Sequence, residues 1–331
     1  MKAPFPWFGG KSRAAAEIWR RFGDVANYVE PFAGSLGVLV QRPHEPRTET
    51  VNDLDAYLAN FWRALAADPD AVAAAADWPV NEADLHARHL WLVGREDFRE
   101  RMRTDPDFYD AKVAGWWVWG QCAWIGSGWC AERAYYDSRE TDAGAHIKQQ
   151  LPHLGDAGMG VNRPSQKRPQ LGSSRGINAD SRGDLYDYFD ALAARLRRVR
   201  VCCGDWQRVL GPSPTERLGV TGILLDPPYA DTAGRDADLY GVDSLSVAHD
   251  VREWAIANGD NPMLRIALCG YEGEHEMPDG WTVHEWKAPG GFGSQGNGSG
   301  RTNAARERIW FSPHCLPVAK APTLFALEEY A

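Results

Sequence analysis

Short apolar runs that end in Gly, Pro or an acid alternate along this chain with longer stretches of helical period. Residues 14–22 carry apolar positions at helical spacing and predict an amphipathic helix. A short strand around Tyr28-Val29 enters a turn at Gly34, and an apolar helix is expected after it. Thr50-Val51-Asn52-Asp53-Leu54-Asp55 reads as a second strand. Residues 56–100 are Ala-rich and helical, with a break at Asp68-Pro69. Residues 184–198 form an amphipathic helix through Leu185, Tyr188, Phe189, Leu192 and Leu196, which leads into a strand at 199–203. Gly222-Ile223-Leu224-Leu225 reads as a buried strand. A helix follows from Ser246, then a strand at 263–271, a Gly-rich loop at 290–300 and a last strand at 307–311. The tail after Ser312 is Pro-broken and peripheral. Strands alternating with helices predict a doubly wound α/β sheet.

The polar residues at the strand ends repeat one device. Glu30, Asp53, Asp205 and Asp226 each close a predicted strand, which lines up acids at the carboxyl edge of the sheet, where open α/β sheets bind ligands. Gly34 and Gly37 allow close backbone approach, and Asp53 stands nineteen residues after Gly34. That spacing places an acid on ribose hydroxyls, so an adenosine-containing cofactor is expected. Ahead of them, Trp7-Phe8-Gly9-Gly10-Lys11 opens the first helix with backbone N–H groups and an ammonium for an anion, though not at P-loop spacing. Asp226-Pro227-Pro228-Tyr229 ends its strand in a carboxylate, a chain held extended by prolines, and an aromatic ring. Read alone, it is either a strand end with a Pro-Pro turn or half of a substrate site. An acceptor for amine protons beside a ring face suits an extruded nucleobase.

Composition narrows this picture. A formal charge of −9 argues against a general nucleic-acid coat and is compatible with a DNA enzyme that has a local basic face. The segment 161–182 supplies Arg163, Lys167, Arg168, Arg175 and Arg182 against Asp180. Phosphate contact and a solvated surface loop are both open for it. Trp116, Trp117, Trp119, Trp124 and Trp129 partly share one helical face, either as the core of a small helical subdomain or as a base-stacking surface. The six cysteines have no CxxC spacing, so reduced thiols and no metal site are expected. No run is long enough to span a membrane and residues 1–6 have no signal-peptide core, so a cytoplasmic protein is expected.

Taken in order, Pro6-Trp7-Phe8-Gly9-Gly10-Lys11, Tyr28-Val29-Glu30-Pro31-Phe32-Ala33-Gly34, Asn52-Asp53, Gly204-Asp205 and Asp226-Pro227-Pro228-Tyr229 resemble the motifs of the Dam-like DNA adenine methyltransferases. The resemblance covers roughly residues 1–60 and 185–311. It implies a Rossmann-like catalytic domain in two parts, 1–60 and 185–331, with a mainly helical target-recognition insertion at 61–184. It implies S-adenosylmethionine as cofactor and methylation of the adenine 6-amino group in double-stranded DNA, by base flipping and direct transfer. Trp7, Gly10 and Lys11 match the cofactor pocket. Glu30, Pro31, Phe32, Ala33 and Gly34 match the loop beneath the methionine part. Asp53 matches the ribose acid and Asp205 the acid near the adenine ring. Asp226, also beside the cofactor, with Pro227, Pro228 and Tyr229 matches the catalytic motif, and Arg163, Lys167, Arg168 and Arg175 are the candidate DNA contacts. A cognate restriction endonuclease is a partner that the resemblance leaves open. Leu36 departs from the pattern, standing where many relatives have a small residue. An RNA or protein-glutamine methyltransferase and an inactive DNA-binding module are the alternative readings.

Overall fold

The computed structural model describes residues 1–7, 9–95, 97–124, 129–130, 182–228, 247–286 and 306–317. Seven strands form one sheet: β1 (Asn27–Glu30), β2 (Thr48–Asp53), β3 (Val199–Cys203), β4 (Thr221–Leu225), β5 (Leu264–Tyr271), β6 (Thr282–Glu285) and β7 (Glu307–Phe311). Their order is β3-β2-β1-β4-β5-β7-β6. The first five are parallel to one another, and β7 runs antiparallel between β5 and β6. The order reverses between β1 and β4, and such a switch point opens a crevice at the carboxyl ends of the strands.

Side-chain alternation along the strands explains why both faces of the sheet are covered. Ile223 and Leu225 of β4 and Leu264, Ile266 and Leu268 of β5 face a core shared with Val251 and Ala255 of α8 (Val247–Asn258). Leu224, Ala267, Cys269, Ile309 and Phe311 point the other way, into a larger core. That core is shared with α1 (Ala15–Phe22), α2 (Ala56–Ala67), α3 (Pro69–Ala76), α4 (Glu82–Val93), α5 (Phe98–Thr104), α6 (Ala111–Ala123) and α7 (Arg182–Leu196). The helix starts follow their caps. Asp55, Asp68, Asn81 and Asp110 each accept a backbone N–H of the first turn of α2, α3, α4 and α6, and Pro69 stands at the head of α3.

Trp117 and Trp119 of α6 are fully buried, and Trp117 packs on Phe5 and Phe61 at ring distances of 5.1 and 6.0 Å. Most of the tryptophan cluster is therefore core. Trp116 is half-buried, between Arg88 and Lys112. A buried charge cluster ties α7 to the sheet. Glu49 of β2 receives both guanidinium nitrogens of Arg195 at 2.7 and 2.9 Å, and Arg42 at 3.2 Å.

Two local expectations differ from the structure. The segment after Gly34 is a series of turns with a 3-10 helix at Leu39–Gln41, not an α-helix. Gly34 and Leu36 both take left-handed backbone, with φ of 45° and 57°, which an α-helix does not allow. Strand β6 escapes the hydrophobic pattern because most of its residues are exposed. The boundary expected at residue 60 runs through α2, which packs between β3 and α6. None of the six cysteines forms a disulfide. Among the described residues no helix is long and apolar enough to cross a membrane.

Candidate active site

The carboxyl ends of β1, β2, β3 and β4 surround a cleft of about 280 Å³. Trp7, Gly10, Lys11, Glu30, Pro31, Phe32, Ala33, Gly34, Asp53, Asp205, Asp226 and Pro228 all line it, so the structure brings together residues spread over more than two hundred positions. Pro227 is buried beside them. Tyr229, Arg163, Lys167, Arg168 and Arg175 lie outside the described residues, as does the glycine-rich loop at 290–300.

The floor of the cleft is a turn held from two sides. One oxygen of Asp53 accepts the Gly34 N–H at 3.0 Å and the other accepts the Asp55 N–H at 3.0 Å. Asp55 in turn caps α2, so strand, turn and helix form one hydrogen-bonded unit. Trp7 lies directly over Gly34: a Cβ there would stand 2.5 Å from the indole Cδ1, so any side chain would collide with it. Asn52 is a site residue whose role the sequence does not reveal. Its amide donates to the carbonyls of Pro31 and Gly204, at 3.0 and 2.9 Å, and so joins the ends of β1, β2 and β3. A polar residue inside an otherwise buried strand is the available signal. On the β3 side, Asp205 caps a short 3-10 helix, and Trp206 and Phe32 form an aromatic wall with ring centroids 6.1 Å apart.

The electrostatics are set by burial. Burial pushes the Asp53 carboxyl up to about 6, although the Asp55 and Gly34 N–H groups pull the other way. Glu30 is held well above the usual carboxylate range by burial, against its hydrogen bond from Tyr28, with Asp226, Glu49 and Asp53 adding to the rise. Lys11 is 3% exposed. Burial alone would lower its pKa, but Asp226 and Glu307 outweigh that and hold it above the ordinary lysine value. Its ammonium lies 2.8 Å from Asp226 Oδ1 and 3.5 Å from Glu307 Oε2. Glu307 opens β7, and by pattern alone it is only part of a strand; an acid leading a buried apolar strand is its signal.

Chemically, the cleft offers backbone and acid groups for hydroxyls, aromatic walls for a flat ring, and a carboxylate followed by a rigid Pro pair at the end of β4. On a sheet of this order, with β7 reversed between β5 and β6, these features define a Rossmann-like methyltransferase. Residues 7–108 match the family model of the D12 class N6 adenine-specific DNA methyltransferase, and the matched stretch carries Trp7, Lys11, the turn at Gly34 and Asp53. Over this stretch the chain is similar to that family, which implies methylation of the N6 position of adenine in DNA with a methyl donor as cosubstrate. No curated protein matches the chain.

Proposed function

We propose that the methyl donor is S-adenosylmethionine, bound in the cleft between β1, β2 and β4, and that Asp226 and Pro227 receive the amino group of an adenine extruded from duplex DNA. The residues present fit the cofactor. The Gly34 turn lies on the cleft under Trp7, Asp53 has lone pairs beyond its backbone N–H bonds for ribose hydroxyls, and Phe32 with Trp206 can present one aromatic wall to an adenine ring beside Asp205. The cofactor supplies an electrophilic methyl group on a sulfonium.

The exocyclic amine of adenine is a poor nucleophile because its lone pair is delocalised into the ring. Asp226 accepts one N–H and the Pro227 carbonyl accepts the other, which localises the lone pair on nitrogen. Positioning for in-line displacement is then the main catalytic contribution. Tyr229 stacks on the extruded base. The helical part of the chain within 61–184, with Arg163, Lys167, Arg168 and Arg175, carries target recognition and phosphate contact.

The observation that supports this reading best is the position of Asp226. It follows β4 directly at the switch point, lines the same cleft as Asp53, and is engaged there by Lys11. Asp226→Asn keeps the shape and removes the anionic acceptor. Single-turnover methylation at saturating cofactor and DNA should fall by roughly 10² to 10⁴, with cofactor affinity largely retained. A variant that transfers methyl within threefold of the parent would return this stretch to a structural strand end.

A further inference from the structure

Lys11 has three N–H donors, and three acceptors stand around it among the described residues. They are the Gly9 carbonyl, Asp226 Oδ1 at 2.8 Å and Glu307 Oε2 at 3.5 Å. The Trp286 ring lies 5.8 Å from the ammonium. Lys11 and Glu307 are both more than nine-tenths buried, at 3% and 5% exposure, while the Asp226 side chain keeps 18% on the cleft side. The ammonium therefore reaches Asp226 from inside the protein and leaves its outer face to the cleft.

Burying a carboxylate is costly unless it is paired, and replacing a buried ion pair by apolar residues is often neutral or stabilising. Stability alone gives little reason for an acid at the head of β7, a strand that otherwise presents Ile309 and Phe311 to the core. The charge balance gives a better one. A lysine bound by Asp226 alone would neutralise it and dull it as an acceptor. Shared with Glu307, the ammonium still fixes the carboxylate's orientation, and its charge is divided between two carboxylates.

We infer that Glu307 is a positioning residue for methyl transfer, acting through Lys11 to orient the Asp226 carboxylate and to keep it a strong acceptor for the adenine amine. This rests on the role given to Asp226 above. It assigns Lys11 to the catalytic carboxylate rather than to the cofactor.

Glu307→Gln keeps the volume and removes the charge. In the full chain, with duplex DNA and S-adenosylmethionine both saturating, its single-turnover rate should drop about tenfold or more. Cofactor affinity by calorimetry should stay within twofold of the parent. Glu307→Asp keeps the charge one methylene back and should fall between the two. Lys11→Met should itself be slow, and adding Glu307→Gln to it should cost little more, because the influence runs through the ammonium. Parent-like transfer by Glu307→Gln overturns the inference, and so does a loss that adds in full to that of Lys11→Met. If the Gln variant does not fold, Glu307→Asp carries the test: a lower rate at equal cofactor affinity supports the inference, and an equal rate overturns it. A parent-like Asp226→Asn marks failure of the underlying reading. An inactive Asp226→Asn beside an unaffected Glu307→Gln marks failure of this inference alone.

Discussion

Asp53 serves the scaffold, and in the proposed reading it serves the ligand as well. Its two oxygens already hold the Gly34 and Asp55 N–H groups, and a carboxylate has lone pairs to spare for ribose hydroxyls. Burial raises it to about 6, so in the free protein its charge changes within an accessible pH range. A donor hydroxyl prefers the ionised form, so S-adenosylmethionine should bind more tightly as pH rises from 5 to 7. The sign for folding is opposite. The folded-state pKa lies above the unfolded one, so this group's contribution to stability is full below about pH 4 and is lost as pH rises through about 6. Calorimetric titrations across that range should show the trend in the parent and a flat response in Asp53→Asn. The same slope in the variant would assign the titration to another group, with Glu30 the first to test.

At the scale of elements, the strands are the most legible part of the chain. They run to acids at Glu30, Asp53 and Asp226, and such local signals need only nearby sequence to be read. The turn after Gly34 is not legible as a turn, since Leu36 in left-handed backbone follows no composition rule and is fixed by its buried surroundings. β6 escapes because exposed strands lose the hydrophobic signal. The junction of α7 with β2 is also invisible in sequence, being a pairing of Glu49 with Arg42 and Arg195 across distant positions. It carries its own prediction. Glu49→Ala would remove the carboxylate shared by two guanidinium groups, leaving Arg42, fully enclosed, with Asp24 at 3.8 Å and the Val25 carbonyl, and Arg195, mostly enclosed, with the Leu39 carbonyl. Breaking a buried pair costs roughly 3–5 kcal/mol, and the missing side-chain packing adds little beside it. Urea denaturation should move the midpoint accordingly. A change below about 1 kcal/mol, the value of a surface pair, would mean that the cluster is solvated.

For the whole molecule, the net charge of −9 and the DNA substrate impose a division of labour. An acidic protein approaches a polyanion only through a local concentration of cations, and one such stretch of the sequence lies between residues 161 and 182. Neutralising Arg163, Lys167 and Arg168 together should reduce the salt slope of DNA binding by roughly 0.9 for each phosphate that these side chains neutralise. Fluorescence anisotropy on a labelled duplex across salt concentrations measures it. An unchanged slope would make this segment a solvated loop and move the search to cations such as Lys112 beside Trp116. The candidate site as a set of strand-end motifs is readable from the sequence. The partners of Lys11 are not, because only the closed sheet brings residue 307 next to residue 11.

That closure sets an order of events during synthesis. β7 is inserted between β5 and β6, so among the described strands the one synthesised last completes the sheet. A nascent chain that has emerged only as far as β5 already carries the turn at Gly34, Asp53 and Asp226, while Lys11 has one of its two carboxylates. The group around Asp226 is assembled only when translation has passed residue 307. A chain stalled or clipped before that point leaves Lys11 without Glu307. By the role inferred for Glu307, full methyl transfer is then reserved for polypeptides that extend through β7.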